Sequence, residues 1–258
     1  MNNIKIAFFD IDGTLVNPLT KKVSKKTIET LQKLKSNGVI LCIATGRTAM
    51  AVPKFEGIDF DAYLTFNGSY CFTNEKVIHS TPFSDSDVKI ILQNAEKINR
   101  PVSVATADRL SANGLDPDLS DYYELAELTL EVDDDFEDSL KEEVFQIMLG
   151  CREHEHAGLV EGTENAKVAI SWDRAVDIIP ANSGKGSGIQ RILEYFNISK
   201  EESLAFGDGQ NDIEMFEAVG HGIAMGNAAE KLKKVADTIC KTCAEDGIYH
   251  YCLDNGLI

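Results

Sequence analysis

The sequence predicts an α/β protein with a smaller α+β domain inserted into it. Three observations carry this. Apolar runs of buried-strand length alternate with helical patterns near both ends of the chain. The block between about Pro82 and Pro180 follows a different, mixed rhythm. Four loops that carry carboxylates, a hydroxyl, a lysine and an amide either follow the strands of the first kind or open its helices.

Ile4 to Phe9 is apolar except for Lys5 and reads as a strand buried on both faces. Ser24 can cap a helix whose apolar face is Ile28, Leu31 and Leu34, with Asn37-Gly38 as its stop. Val39 to Ala44 and Ala62 to Phe66 are further buried strands. A strand–helix–strand order implies a right-handed crossover and a parallel sheet. Ser69 to Phe72 and Lys76 to Ser80 flank Thr73-Asn74-Glu75 as a hairpin. In the middle block, Ser84 can cap a helix bearing Val88, Ile91, Leu92 and Ala95. Val102 to Ala105, Val144 to Leu149, Val168 to Ser171 and Val176 to Ile179 are read as strands. After Pro180 the first rhythm returns with a helix over Gly184 to Phe196 and strands at Ser203 to Phe206, Gly222 to Met225 and Ala236 to Cys240. The expected organisation is one domain from 1–81 and 182–258, with 82–181 inserted.

The chain has 258 residues, 25 Lys+Arg and 42 Asp+Glu, a formal charge of −17. Between Glu124 and Glu143 there are ten acidic residues and one basic one, so over half of that excess sits in a short part of the insert. This reads as a solvated acidic face. The charge argues against nucleic-acid and anionic-membrane partners, which need a basic face. Neither a signal peptide nor a run long enough to cross a bilayer is read in the sequence. Six cysteines in a chain of this length read as reduced thiols in a cytoplasmic protein. Cys240, Cys243, His250 and Cys252 have residue types that suit zinc but lack the spacing of a finger. Cys151, His154 and His156 read as an exposed polar helix.

The first chemical signal is Asp10-Ile11-Asp12-Gly13-Thr14, directly after the first strand. Strand ends of a parallel sheet are where ligand sites form. Two carboxylates one residue apart repel, and a bound Mg²⁺ would resolve this because hard cations take oxygen ligands. A glycine turn explains the Gly as well. An EF-hand does not fit, since Leu15 and Lys21 stand where that loop needs Gly and an acid. Thr45-Gly46-Arg47 can bind a phosphate oxygen through a hydroxyl and backbone N–H groups. Lys185, in Ser183-Gly184-Lys185-Gly186, opens a helix where the dipole disfavours it, which suggests an anion to meet. A P-loop is excluded by Ile179 at the earlier glycine position. Gly207-Asp208-Gly209-Gln210-Asn211-Asp212 fails as a dinucleotide fingerprint at Asp212 and reads as further metal ligation.

Together these four motifs resemble those of the haloacid dehalogenase-like phosphatase superfamily, in order and spread along the whole chain. The insert between the second and third motifs, with Asn67-Gly68 before it, resembles the Cof-type subfamily with its C2B cap. Asn182 departs from the glycine usual in the linker before the lysine. The resemblance implies a Rossmann-like core and a Mg²⁺-dependent phosphatase acting on small phosphorylated metabolites, with sugar phosphates the expected class. It implies Asp10 as nucleophile forming an aspartyl-phosphate, and Asp12 as general acid and base. Mg²⁺ would be held by Asp10, the Asp12 carbonyl and Asp208. Phosphoryl oxygens would be held by Thr45, Lys185, Asn211 and the Ile11 and Gly46 amides. Asp212 would orient Lys185 or the metal's waters, and Arg47 would make a cap contact or a structural ion pair. The inserted domain would close over the site and select the leaving group; Trp172 and Arg174 are conceivable contacts there. A phosphomutase would use the same chemistry, and a phosphoacceptor receiver would use a similar acidic cluster with a Thr and a Lys.

Overall fold

The computed structural model describes residues 3–125, 128–169 and 172–258. Along these residues run β1 (Ile6–Phe9), α1 (Lys25–Ser36), β2 (Ile40–Ala44), β3 (Ala62–Thr65), β4 (Tyr70–Phe72), β5 (Val77–Ser80) and α2 (Asp85–Lys97). Then come β6 (Ser103–Ala105), β7 (Leu110–Ala112), α3 (Pro117–Leu125), α4 (Phe136–Ser139), β8 (Gln146–Gly150), α5 (His156–Leu159), β9 (Ala166–Ala169) and β10 (Ala175–Pro180). The chain ends with α6 (Lys185–Phe196), β11 (Ser203–Gly207), α7 (Ile213–Ala218), β12 (His221–Ala224), α8 (Glu230–Lys233), β13 (Thr238–Ile239) and α9 (Gly247–Asp254). No helix among the described residues is long and apolar enough to cross a membrane.

The chain divides into two compact units. One is Met1–Thr45, Pro53–His79 and Gly184–Ile258; the other is Gly46–Val52 and Ser80–Ser183. Besides the short segment 46–52, the crossings fall at 79/80 and 183/184, each two residues outside the expected 81/82 and 181/182. Pro180 is not a hinge but the last residue of β10, where it pairs with Ala166.

The first unit holds an eight-stranded sheet in the order β13-β12-β11-β1-β2-β3-β4-β5. From β13 to β3 every pair is parallel, and β4 turns back antiparallel to β3. The unbroken apolar character of β1 follows from burial on both faces. Phe8 joins Cys42, Leu64, Ala205, Ile189 and Met215 in one core layer. Phe9 points the other way and stacks on Phe206 at 5.5 Å. Helix α1 starts where Ser24 Oγ accepts the Thr27 N–H at 3.0 Å, which ties down one orphan donor of the first turn.

The second unit is a five-stranded antiparallel sheet, β7-β6-β8-β10-β9. Val88, Ile91 and Ala95 of α2 pack on Ile147 and Leu149 of β8 and Val176 and Ile178 of β10. Three strands differ from expectation. β7 is not legible in sequence, being three residues long with no β-branched side chain. β13 is two exposed residues rather than the span from Ala236 to Cys240. The strand expected over Val168 to Ser171 begins earlier, at Ala166, and residues 170–171 lie outside the described residues. His154 and His156 sit in a short 3₁₀ turn followed by one turn of α-helix.

Candidate active site

Four chain segments of the first unit converge where β1, β2 and β11 end and α6 begins. Asp10 follows β1 and its N–H extends the ladder to Phe206 O at 3.0 Å. The loop after it is tight: Leu15 and Val16 donate back to Ile11 O at 3.0 and 2.8 Å, and Gly13 donates to Val16 O at 2.9 Å. Gly13 has φ 85, and a Cβ there would run into the Asp208 carboxylate. Only glycine satisfies both demands.

Lys185, on the first turn of α6, is the cluster's cation. Its side chain is fully buried, with Nζ 2.8 Å from Asp10 Oδ1 and 2.6 Å from Asp212 Oδ1. This is the anion its unfavourable helix position suggests. The other Asp212 oxygen accepts the N–H groups of Asp208 and Gly209, each at 2.9 Å. Asp212 is therefore occupied in fixing the lysine and the loop after β11. Asp208 takes a hydrogen bond from Thr14 Oγ1 at 3.3 Å. Thr45 is buried at the end of β2, and Asn211 Nδ2 donates to Asn67 Oδ1 at 3.1 Å.

Carboxylate oxygens of Asp10, Asp208 and Asp212 lie within 4.8 Å of one another. Among the described residues this is the single such convergence of His, Cys, Asp and Glu side chains. Neither cysteine–histidine set noted in the sequence gathers in this way. Cys240 Sγ instead donates to Lys241 O at 3.3 Å. The Asp12 side chain is exposed and outside the convergence, so its expected part in metal binding rests on its carbonyl. Arg47 Nη1 bonds Ala51 O at 2.9 Å inside the segment 46–52 that also contains Gly46. Trp172 stacks on Tyr122 at 6.2 Å, and the Arg174 guanidinium lies 4.1 Å above the indole. Arg174 also pairs with Asp121 at 3.0 Å.

The electrostatics are unbalanced. Burial pushes the Asp10 carboxyl well above the usual range, Lys185 opposes this, and Asp212, Asp208 and Asp12 add to it. Burial and then Asp212 push Asp208 up to about 7, against Lys185 and Thr14. Burial alone would depress Lys185, but Asp10 and Asp212 more than reverse that and hold it protonated. Three carboxylates against one ammonium leave an all-oxygen donor set with excess negative charge. That donor set suits a hard divalent cation such as Mg²⁺.

Asp208 titrates higher folded than its ordinary 3.8, so the folded state binds the extra proton. Its contribution is favourable below that value and is lost as pH rises through about 7. In chelator at about pH 8, Asp208→Asn is expected to raise Tm by at least about 2 °C. The gain should shrink toward about pH 4. Thermal melts at the two pH values check this; a lower Tm for the variant at both overturns it.

Sequence reasoning did not single out Thr14, Asn67 or Asn227 as site side chains. Asn227 Nδ2 donates to Gly13 O at 2.8 Å and to Asp208 Oδ2 at 3.3 Å, while its Oδ1 accepts the Cys243 N–H at 2.9 Å. It clamps the loops after β1 and β11 together. Thr14 belongs to the first motif, but Asn227 lies among small residues, between Gly226 and Ala228, with no local signal.

A parallel α/β sheet with an acid–lysine cluster at its strand ends is the frame of a phosphoryl-transfer site, and similarity to known proteins narrows the class to hydrolases. Residues 7–252 match the haloacid dehalogenase-like hydrolase family. The chain is 31% identical to YkrA of Bacillus subtilis (strain 168), provisionally named a phosphatase, over 98% of each chain. It superposes on the phosphatase BT1666 from Bacteroides thetaiotaomicron with a TM-score of 0.91 and 28% identity, covering 99% of this chain and 96% of that one. With the subclass IIB sugar phosphatase BT4131 the TM-score is 0.87 at 30% identity, over 98% and 100%. This chain belongs to the haloacid dehalogenase-like hydrolases. Its neighbours there include phosphatases, one of them of subclass IIB, and phosphatases of this superfamily generally use Mg²⁺.

Proposed function

We propose that the protein is a Mg²⁺-dependent phosphatase that hydrolyses small phosphorylated metabolites, sugar phosphates foremost, through an aspartyl-phosphate on Asp10. The observation that carries this reading is the buried Asp10–Lys185–Asp212 chain at the end of β1, with Asp208 beside it. Residues 82–181 are read as the C2B-type cap.

A carboxylate attacks a phosphate ester only if their mutual repulsion is removed. Lys185 supplies one fixed positive charge in a water-poor site, where it counts for more than in solvent. Mg²⁺, held by Asp10, Asp208 and the Asp12 carbonyl, would supply the remaining positive charge. An Asp10 oxygen forms the new bond to phosphorus as the ester oxygen leaves. The exposed Asp12 carboxyl gives that oxygen its proton. The same group, now a carboxylate, takes a proton from the water that splits the acyl phosphate and releases phosphate. Thr45, Asn211 and the Ile11 amide hold phosphoryl oxygens, while Asp212 keeps Lys185 in place.

The test is a phosphomonoester panel rich in sugar phosphates, assayed for free phosphate with Mg²⁺ and with chelator. Mg²⁺-dependent release is expected. An isomerised sugar phosphate without free phosphate would replace hydrolysis by intramolecular transfer, as in a mutase. A phosphoprotein stable for hours would point to a signalling receiver.

A further inference from the structure

We propose that Asn67 is a positioning residue of the phosphoryl site, acting through Asn211. This rests on the reading above that the cluster takes a phosphoryl group. The turn Phe66–Gly68 follows β3 and touches three of the four motif loops. The Asn67 N–H donates to Thr45 O at 3.1 Å. Gly68, with φ 99, sits so close to the Gly184 carbonyl that a Cβ there would collide with it, and Gly184 immediately precedes Lys185. Asn67 Oδ1 accepts the Asn211 Nδ2 hydrogen bond at 3.1 Å, across 144 residues of sequence.

The backbone of this turn is strained. Phe66 and Asn67 have φ 51 and 52, consecutive left-handed non-glycine residues, both buried. Such conformations persist only where the surroundings fix them, and they cluster at functional sites. The conformation alone does not require asparagine, because glycine adopts it at no steric cost. Asparagine tolerates it and adds a carbonyl oxygen. That oxygen holds one N–H of Asn211 and so fixes the plane of its amide. The second N–H and the carbonyl of Asn211 then have set directions before substrate arrives, which is what binding a phosphoryl oxygen demands.

Glycine separates the two roles. Asn67→Gly keeps the turn and deletes the acceptor. With p-nitrophenyl phosphate, KM is expected to rise about fivefold to tenfold, the size of one lost hydrogen bond, with kcat changed less than about twofold. Calorimetry with inorganic phosphate should show a matching loss of affinity, with Tm within about 2 °C of wild type. On an Asn211→Ala background the same substitution should add nothing. Asn67→Ala gives a second entry to this cycle should the glycine variant not fold. Unchanged KM and phosphate affinity in Asn67→Gly, or losses that add on the Asn211→Ala background, overturn the proposal. A wild-type protein that turns over no phosphomonoester overturns the underlying reading and this one with it, whereas active wild type with an indifferent Asn67→Gly overturns this one alone.

Discussion

Asp10→Asn is expected to abolish phosphate release, by at least about 10⁴-fold in kcat, while leaving the fold intact. The amide is close in shape to the carboxyl, and Lys185 keeps its 2.6 Å partner in Asp212. What disappears is the anionic oxygen that would bond phosphorus. Burial already raises the Asp10 carboxyl, so removing its charge relieves the folded state rather than burdening it. Steady-state kinetics with a thermal melt check both halves. Acid-quenched wild type should carry phosphate on the peptide containing Asp10, and the variant should not. Substantial residual turnover would remove Asp10 from the nucleophile's role.

Lys185→Met is expected to be costly in two ways. The lysine is fully buried and shared by two carboxylates. Removing one partner of a buried ion pair costs about 3–5 kcal/mol, because the remaining charges are left uncompensated. A loss of Tm and of turnover together is the expected result. Adding Asp212→Asn should restore part of the stability, since one stranded charge is gone, but none of the activity. Denaturant melts of the single and double variants measure this. A Lys185→Met protein as stable as wild type would show that the cluster does not depend on the pair.

Much of this was legible in the sequence because the relevant signals are local. The run Ile6 to Phe9 ends at Asp10 as a strand ending at a ligand loop should. Ser24 caps α1 as its type and spacing suggest. Lys185 was conspicuous because a lysine at a helix start opposes the dipole, and the structure supplies the two carboxylates that reverse the balance. The less visible residues are those whose meaning is a distant partner. Asn67 enters the sequence reading only as the Asn-Gly pair before the insert, and its acceptor role exists only because Asn211 arrives beside it. Asn227 carries no pattern, yet bridges Gly13 and Asp208. β7 escaped notice because Leu110–Ala112 is held by pairing with β6 rather than by its own propensity.

The place of β1 in its sheet has a consequence for how the protein is made. β1 lies between β2 and β11. Phe8 can pair with Cys42 soon after both leave the ribosome, but its other neighbour, Ala205, is synthesised far later. Until then the nascent chain carries a wholly apolar strand as an open edge, the kind of surface that recruits unwanted strands. Closing that gap joins residues remote in sequence, which slows folding relative to locally wired proteins. Asp10 likewise waits for Lys185, which is made before Asp208 and Asp212, so the later acids join a cluster whose counter-charge is already at hand.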